Sequence, residues 1–123
     1  MRLEEFKPLP EKDLKKDQGK LRYDLVPFDA MDDVVRVYMM GAEKYQERSW
    51  ERGIRYSRVF AALLRHLFAW WNGNDRDAES GLPHLAHVAW NALALLTYTK
   101  RGQHEIDDRV KNVMEEEPNA SAR

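Results

Sequence analysis

Two histidines three residues apart open an apolar helical stretch, Leu82-Pro83-His84-Leu85-Ala86-His87-Val88-Ala89-Trp90-Asn91. Proline at the first helical position forfeits an N–H that had no partner there, so Leu82-Pro83 marks the entrance. Each residue advances about 100° around the axis. His84, His87 and Asn91 then share one side, and Leu85, Ala89, Ala92 and Leu96 the other. The pattern predicts a buried apolar face and a separate stripe of imidazole and amide. Asp75, Asp77 and Glu79 stand just upstream. Imidazole and carboxylate together can hold a divalent ion. Oxygen ligands suit magnesium or manganese, and imidazoles tilt the choice toward manganese, iron or zinc. His66, on the preceding helix, joins the group if the two helices pack antiparallel. The expected ligands are His66, Glu79, His84 and His87, with Asp77 and Glu79 orienting water. The competing reading is a solvated acidic turn beside histidines that hydrogen-bond within a packed core.

Phosphate recognition would draw on Lys20, Arg22, Lys44, Arg48, Arg55, Arg58 and Arg65, with Asp24 to orient a guanidinium. Arginine meets phosphate oxygens with a planar fork, lysine as a point charge. Interspersion with acids makes most of these ordinary surface charges. Lys20 and Arg22 stand out because their segment is not helical. Tyr45, Trp50, Trp70 and Trp71 offer rings that could stack on a base. Trp70 and Trp71 suit a core or subunit interface as well. The expected substrate-binding set is Lys20, Arg22, Asp24, Lys44, Trp50, Arg65 and Asn91. There is no phosphate-cradling glycine loop, dinucleotide fingerprint, nucleophile elbow or His-Glu-x-x-His run. Activated water is therefore a better expectation than a covalent nucleophile.

The elements that must position these residues follow from periodicity. A first helix is expected over Ala30–Tyr45, capped by Asp29, with Met31, Val34, Val35, Tyr38 and Ala42 inward. A second follows Ser57 as cap, over Arg58–Asn72, with Val59, Phe60, Leu63, Leu64, Leu67 and Trp71 on its core face. The third spans Pro83–Arg101, where Gly102 stops it. A weaker fourth over Gln103–Met114 carries Ile106, Val110 and Val113 on one stripe. No segment alternates as a strand does. The fold class expected is all-α, a bundle of three to four helices with an irregular N-terminal arm. Residues 1–18 read as a flexible arm, 19–114 as one domain, and 115–123 as a frayed tail.

At 123 residues the chain makes one domain with a modest core, so self-association would help it. Lysine plus arginine number 20 against 21 acids, which leaves no basic field for a nucleic acid polymer. Zero cysteines exclude disulfides and thiol chemistry. No apolar run reaches membrane-spanning length, and the first residues lack a signal-peptide pattern, so a cytoplasmic location without membrane contact is expected. Four tryptophans and much aliphatic surface on three long helices point to a homo-oligomer.

Several stretches resemble the dATP/dGTP diphosphohydrolase N-terminal family, which is related to the MazG-like all-α nucleoside triphosphate pyrophosphohydrolases. They are Gly19-Lys20-Leu21-Arg22-Tyr23-Asp24-Leu25, Tyr38-Met39-Met40-Gly41-Ala42-Glu43-Lys44-Tyr45 and Ser49-Trp50. Leu64-Arg65-His66-Leu67, Gly73-Asn74-Asp75-Arg76-Asp77 and the Glu79–Leu96 helix continue the match in order. The resemblance implies a MazG-like fold and cleavage of a purine dNTP to the monophosphate and pyrophosphate. It also implies Mg2+ or Mn2+ and a helical oligomer. One departure stands out. MazG-like enzymes hold metal with two acidic pairs on neighbouring helices, whereas this chain reads His84-Leu85-Ala86-His87 at the second and offers His66 at the first. Either the site is rebuilt around histidines and loop acids, or the domain is a non-catalytic nucleotide-binding or protein-interaction module.

Overall fold

The computed structural model describes residues 18–111. The expected arm (1–18) apart from residue 18, the expected tail (115–123) and residues 112–114 of the expected fourth helix lie outside the described residues. Three α-helices form the fold: α1 over Phe28–Lys44, α2 over Tyr56–Trp71 and α3 over His84–Lys100. Short 3-10 turns occupy Tyr23–Leu25, Ser49–Arg52 and His104–Ile106. Among the described residues there is no strand, only an isolated bridge between Arg76 and Pro83. The all-α class is thus as expected. No helix among these residues is long and apolar enough to cross a membrane.

Helix α3 is the central element and packs against both α2 and α1. This inverts the face assignment made from its sequence. His84, His87 and Asn91 are buried, along with Ala86, Ala94 and Tyr98, while Leu85 and Leu96 are exposed. Ala92 is exposed too. A helix with neighbours on two sides must turn its close-packing positions toward both. The small residues Ala86 and Ala94 allow that approach, and bulky Leu85 and Leu96 are left outside. Trp71, expected in the core, is 78% exposed. It belongs to the last turn of α2, beyond the level at which α3 begins.

Two apolar clusters share α3. Tyr56, Val59, Ala94 and Tyr98 form one, with Trp50, Ile54 and Trp90 packed on it. Val34, Val37 and Ala86 form the other, with Tyr38, Leu93 and again Trp90. Trp90 therefore ties α1 to the α2–α3 pair.

The helix ends differ from expectation. Helix α1 starts at Phe28, with Pro27 in the cap position; the expected cap Asp29 sits inside the first turn, where its Oδ1 accepts from the Ala30 N–H at 2.8 Å. Its charge still meets the positive end of the helix. Helix α2 starts at Tyr56 behind Arg55, so Ser57 is not the cap. The Ser57 N–H and hydroxyl donate to the Asp108 carboxylate, the backbone bond at 2.9 Å. An acid far along the chain thus satisfies a donor freed by the first turn.

The expected fourth helix is absent over Gln103–Lys111, apart from His104–Ile106. Side chains tie this stretch to earlier elements instead. Gln103 Nε2 donates to the Glu51 carbonyl at 3.0 Å, Asp108 holds Ser57, and Ile106 packs on the first cluster.

Gly53 has φ +115°, and a Cβ there would meet Ile106 at 3.1 and 3.3 Å. Gly53→Ala combines left-handed strain with crowding. An expected cost of about 1–3 kcal/mol should appear as a lower midpoint in urea unfolding. An unchanged midpoint would contradict the assigned turn.

Candidate functional site

Helices α2 and α3 run antiparallel, and the 72–83 loop joins them. Backbone bonds within this loop are dense. The Asp77 N–H donates to the Leu82 carbonyl at 2.9 Å, the Gly81 N–H to the Asp77 carbonyl at 2.7 Å, and the His84 N–H to the Asp75 carbonyl at 2.8 Å. Ser80 closes the turn: its N–H donates to Asp77 Oδ2 at 2.8 Å, and its Oγ accepts from the Leu82 N–H at 3.1 Å. An aspartate that binds the N–H three residues on is a stable local turn. It fixes the Asp77 carboxylate beside the helix pair.

Three imidazoles meet there. The Nδ1 atoms of His66 and His84 lie 2.9 Å apart. The rings of His66 and His87 stack with centroids 4.4 Å apart and planes within 7°. His87 Nε2 is 2.8 Å from Ser80 Oγ and 3.9 Å from Asp77 Oδ2. Ligand atoms of His66, Asp77 and His84 all fall within 4.8 Å of one another. His84 is 6% exposed, and its buried Nε2 has no hydrogen-bond partner. Leaving a buried donor or acceptor unmatched costs about 1–3 kcal/mol.

The electrostatics favour neutral imidazoles beside an ionised acid. Burial lowers the His66 pKa, and the charge of a protonated His87 would lower it further, against a smaller pull from Asp77. Burial likewise lowers His87, with Asp77 pulling the other way. Burial pushes Asp77 up, but hydrogen bonds from Ser80 and the nearby imidazoles outweigh it, so the carboxyl lies below its usual range. Neutral imidazole and carboxylate are the protonation states in which these groups ligate metal. Two nitrogens and a carboxylate fit one divalent ion of the first transition row.

Beside this cluster lies a cleft of about 1150 Å3, bordered by the second half of α1, the 46–50 turn and the inner side of α3. Tyr38, Trp50 and Trp90 line it, and their ring centroids stand 5.7, 5.9 and 6.0 Å apart. Asn91 and His87 also border the cleft, so His87 forms a wall common to cleft and cluster. Asn91 is buried, and its Nδ2 donates to the His87 carbonyl at 2.7 Å. Lys44 borders the cleft too, and its Nζ pairs with Glu79 Oε1 at 2.8 Å.

The sequence-derived candidates therefore divide. His66, Asp77, His84 and His87 meet at the cluster. Lys44, Trp50 and Asn91 meet at the cleft. Glu79 is exposed and engaged with Lys44. Arg65 is exposed on α2, one residue before His66. Lys20, Arg22 and Asp24 lie on the exposed segment before α1, where the Arg22 fork grips Asp24 at 2.9 and 2.8 Å, and none of the three borders the cleft.

Comparison with known proteins gives the site its context. The model of the family described as "dATP/dGTP diphosphohydrolase, N-terminal" matches residues 10–109. The chain belongs to the dATP/dGTP diphosphohydrolase N-terminal family. A curated Salmonella phage PMBT28 protein named "dATP/dGTP diphosphohydrolase" is 33% identical over 96 residues, or 78% of this chain and 32% of its own length. The chain thus spans about a third of that relative. No solved structure matches. The residues matched by the family model include both the cluster and the cleft.

Sequence reasoning passed over two residues that shape this family member's site. Ser80 orients both Asp77 and His87; its signal was the Asp-x-x-Ser spacing. Tyr38 was assigned only to the apolar stripe of α1. No spacing rule reveals that its ring meets those of Trp50 and Trp90.

Proposed function

We propose that this chain carries a metal-dependent hydrolase site for purine deoxynucleoside triphosphates of the dATP/dGTP type. It cleaves between the α- and β-phosphates to release the monophosphate and pyrophosphate. The observation that supports this reading is the convergence of His66, Asp77 and His84 beside a nucleotide-sized cleft. These three residues would hold Mg2+ or Mn2+, and the imidazole-rich donor set favours Mn2+. When bound, such an ion offsets phosphate charge and lowers the pKa of water.

The chain's own groups supply positioning, which dominates phosphoryl transfer. Lys44 lies at the cleft, and its exposed pairing with Glu79 is weak enough to be exchanged for a phosphate oxygen. That exchange frees the Glu79 carboxylate to orient a water and accept its proton. The water oxygen bonds to the α-phosphorus, and the α–β bridging oxygen leaves with pyrophosphate. Asp77 holds its place through Ser80. Arg65, and Lys20 and Arg22 in the segment before α1, are the further candidates for phosphate oxygens.

Incubation with each dNTP and Mn2+ or Mg2+ in oxygen-18 water tests this. Label in the monophosphate alone, with pyrophosphate unlabelled, is the expected result. Label in orthophosphate, or no turnover with any purine dNTP, would overturn the reading and favour a non-catalytic nucleotide module.

The same reading includes self-association. Phe60, Phe68 and Trp71 of α2 are 54, 59 and 78% exposed, and Leu85 and Leu96 of α3 are 42 and 55% exposed. Apolar surface of this extent usually serves contact. Light scattering at micromolar concentration is expected to give a mass above that of one chain. Phe68→Glu with Leu96→Glu should return it to a monomer, and a monomeric unsubstituted protein would refute the expectation.

A further inference from the structure

The cleft is larger than a metal pocket needs, and although Lys44 and Arg48 border it, most of its lining is apolar or aromatic. Its volume of about 1150 Å3 slightly exceeds the roughly 300–1,000 Å3 typical of small-molecule sites. Tyr38, Trp50 and Trp90, with Tyr45, line it, and one buried amide, Asn91, borders it. We propose that this cleft is the base-and-sugar subsite, and that the Asn91 amide is the group that admits both adenine and guanine.

The inference rests on the hydrolase reading above and adds the location and chemistry of base recognition. Continuity comes from His87. Its ring lies flat against His66 of the metal cluster, and the same residue borders the cleft. A nucleoside seated against Tyr38, Trp50 and Trp90 would therefore direct its phosphates past His87 toward His66, Asp77 and His84. The three rings meet one another edge-on or tilted rather than stacked. Stacking of a base on aromatic rings is insensitive to base identity. A two-ring base covers more of such a wall than a one-ring base.

Hydrogen bonding to the purine edge then falls to Asn91. It is 5% exposed, and one of its N–H groups is committed to the His87 carbonyl at 2.7 Å. That fixes the amide plane and leaves one N–H donor and one carbonyl acceptor for a ligand. Adenine answers this pair with its N6–H donor and a ring-nitrogen acceptor. Guanine answers it with the O6 acceptor and the N1–H donor. Neither base leaves the desolvated amide unmatched, which is the condition a buried polar group imposes most strictly. A carboxylate here would offer acceptors alone. It would keep guanine, through N1–H and N2–H, and set acceptor against acceptor with adenine.

Quenching of the intrinsic tryptophan fluorescence by deoxynucleoside monophosphates tests this without any turnover. dAMP and dGMP are expected to bind with similar affinity, and dCMP more weakly. Purine deoxyriboside monophosphate, which lacks the 6-substituent, should bind about tenfold more weakly than dAMP. Asn91→Asp should weaken dAMP about tenfold and spare dGMP. Equal loss of both purines in an Asn91→Asp protein of unchanged circular dichroism would overturn the proposal. So would dCMP binding as tightly as the purines. Should Asn91→Asp not fold, the wild-type comparison decides, and equal affinity for dAMP and the 6-unsubstituted analogue overturns the proposal. Base-selective binding without pyrophosphate release would support this subsite while refuting hydrolysis. Pyrophosphate release with no base preference would do the reverse.

Discussion

His84→Ala is expected to lower dNTP turnover at least a hundredfold, equivalent to about 3 kcal/mol of transition-state stabilisation. Two ligand nitrogens lie 2.9 Å apart in the wild type, and this change removes one of them. Mn2+ affinity, read by isothermal titration calorimetry, should fall with it. Stability should move far less. The lost imidazole carries an unpartnered buried nitrogen whose removal offsets part of the cavity created. Asp77→Asn tests the same cluster through charge and should also weaken Mn2+, whereas Arg36→Ala, on an exposed side of α1, should leave both readouts unchanged. Turnover and Mn2+ affinity both at wild-type levels in His84→Ala would remove His84 from the site.

The largest expected effect on stability is at Tyr98. It is fully buried, donates its hydroxyl to the Trp50 carbonyl at 2.6 Å and stacks on Tyr56 at 6.3 Å. Tyr98→Ala should cost about 3–5 kcal/mol. A domain of this kind has roughly 5–15 kcal/mol in total. Tyr98→Phe keeps the ring and strands a carbonyl, for about 1–2 kcal/mol. Burial also pushes the Tyr98 pKa up to about 12. An unfolded tyrosine ionises near pH 10, so between those values the unfolded chain holds fewer protons than the folded one. Stability must then fall as pH rises through that window. Urea unfolding at stepped alkaline pH should show the decline in the wild type and a shallower one in Tyr98→Phe. Identical slopes would deny that the phenol is buried.

What the sequence revealed follows from how local each signal is. Apolar periodicity with Pro27, Gly73, Pro83 and Gly102 located three helices to within two residues at each end. It let His66 join the histidine group on the condition that the two helices pack antiparallel, and they do, with His66 Nδ1 2.9 Å from His84 Nδ1. The inward face of α3 was not legible. A helical wheel assumes one buried side, and this helix has neighbours on two. The fourth helix failed for a related reason. Asp107, Asp108 and Gln103 read as helix-surface residues, yet each finds a better partner in Arg109, Ser57 or the Glu51 carbonyl. The ring group of Tyr38, Trp50 and Trp90 joins three separate elements, and only tertiary packing assembles it.

The metal-ligand cluster and the ring-lined cleft differ in the span of chain they require. His66, Asp77 and His84 all come from one continuous stretch, the end of α2, its loop and the start of α3. The cleft also needs α1. A hairpin of low sequence separation closes quickly, while docking a third element follows it. The α2–α3 pair should therefore act as a cooperative unit of its own, with α1 opening at lower free energy. Native-state amide exchange would resolve this as two isotherms, the α1 amides exchanging in a sub-global step while those of His87–Asn91 wait for complete unfolding. Such an opening would uncover the nucleoside side of the site without dismantling the ligand cluster.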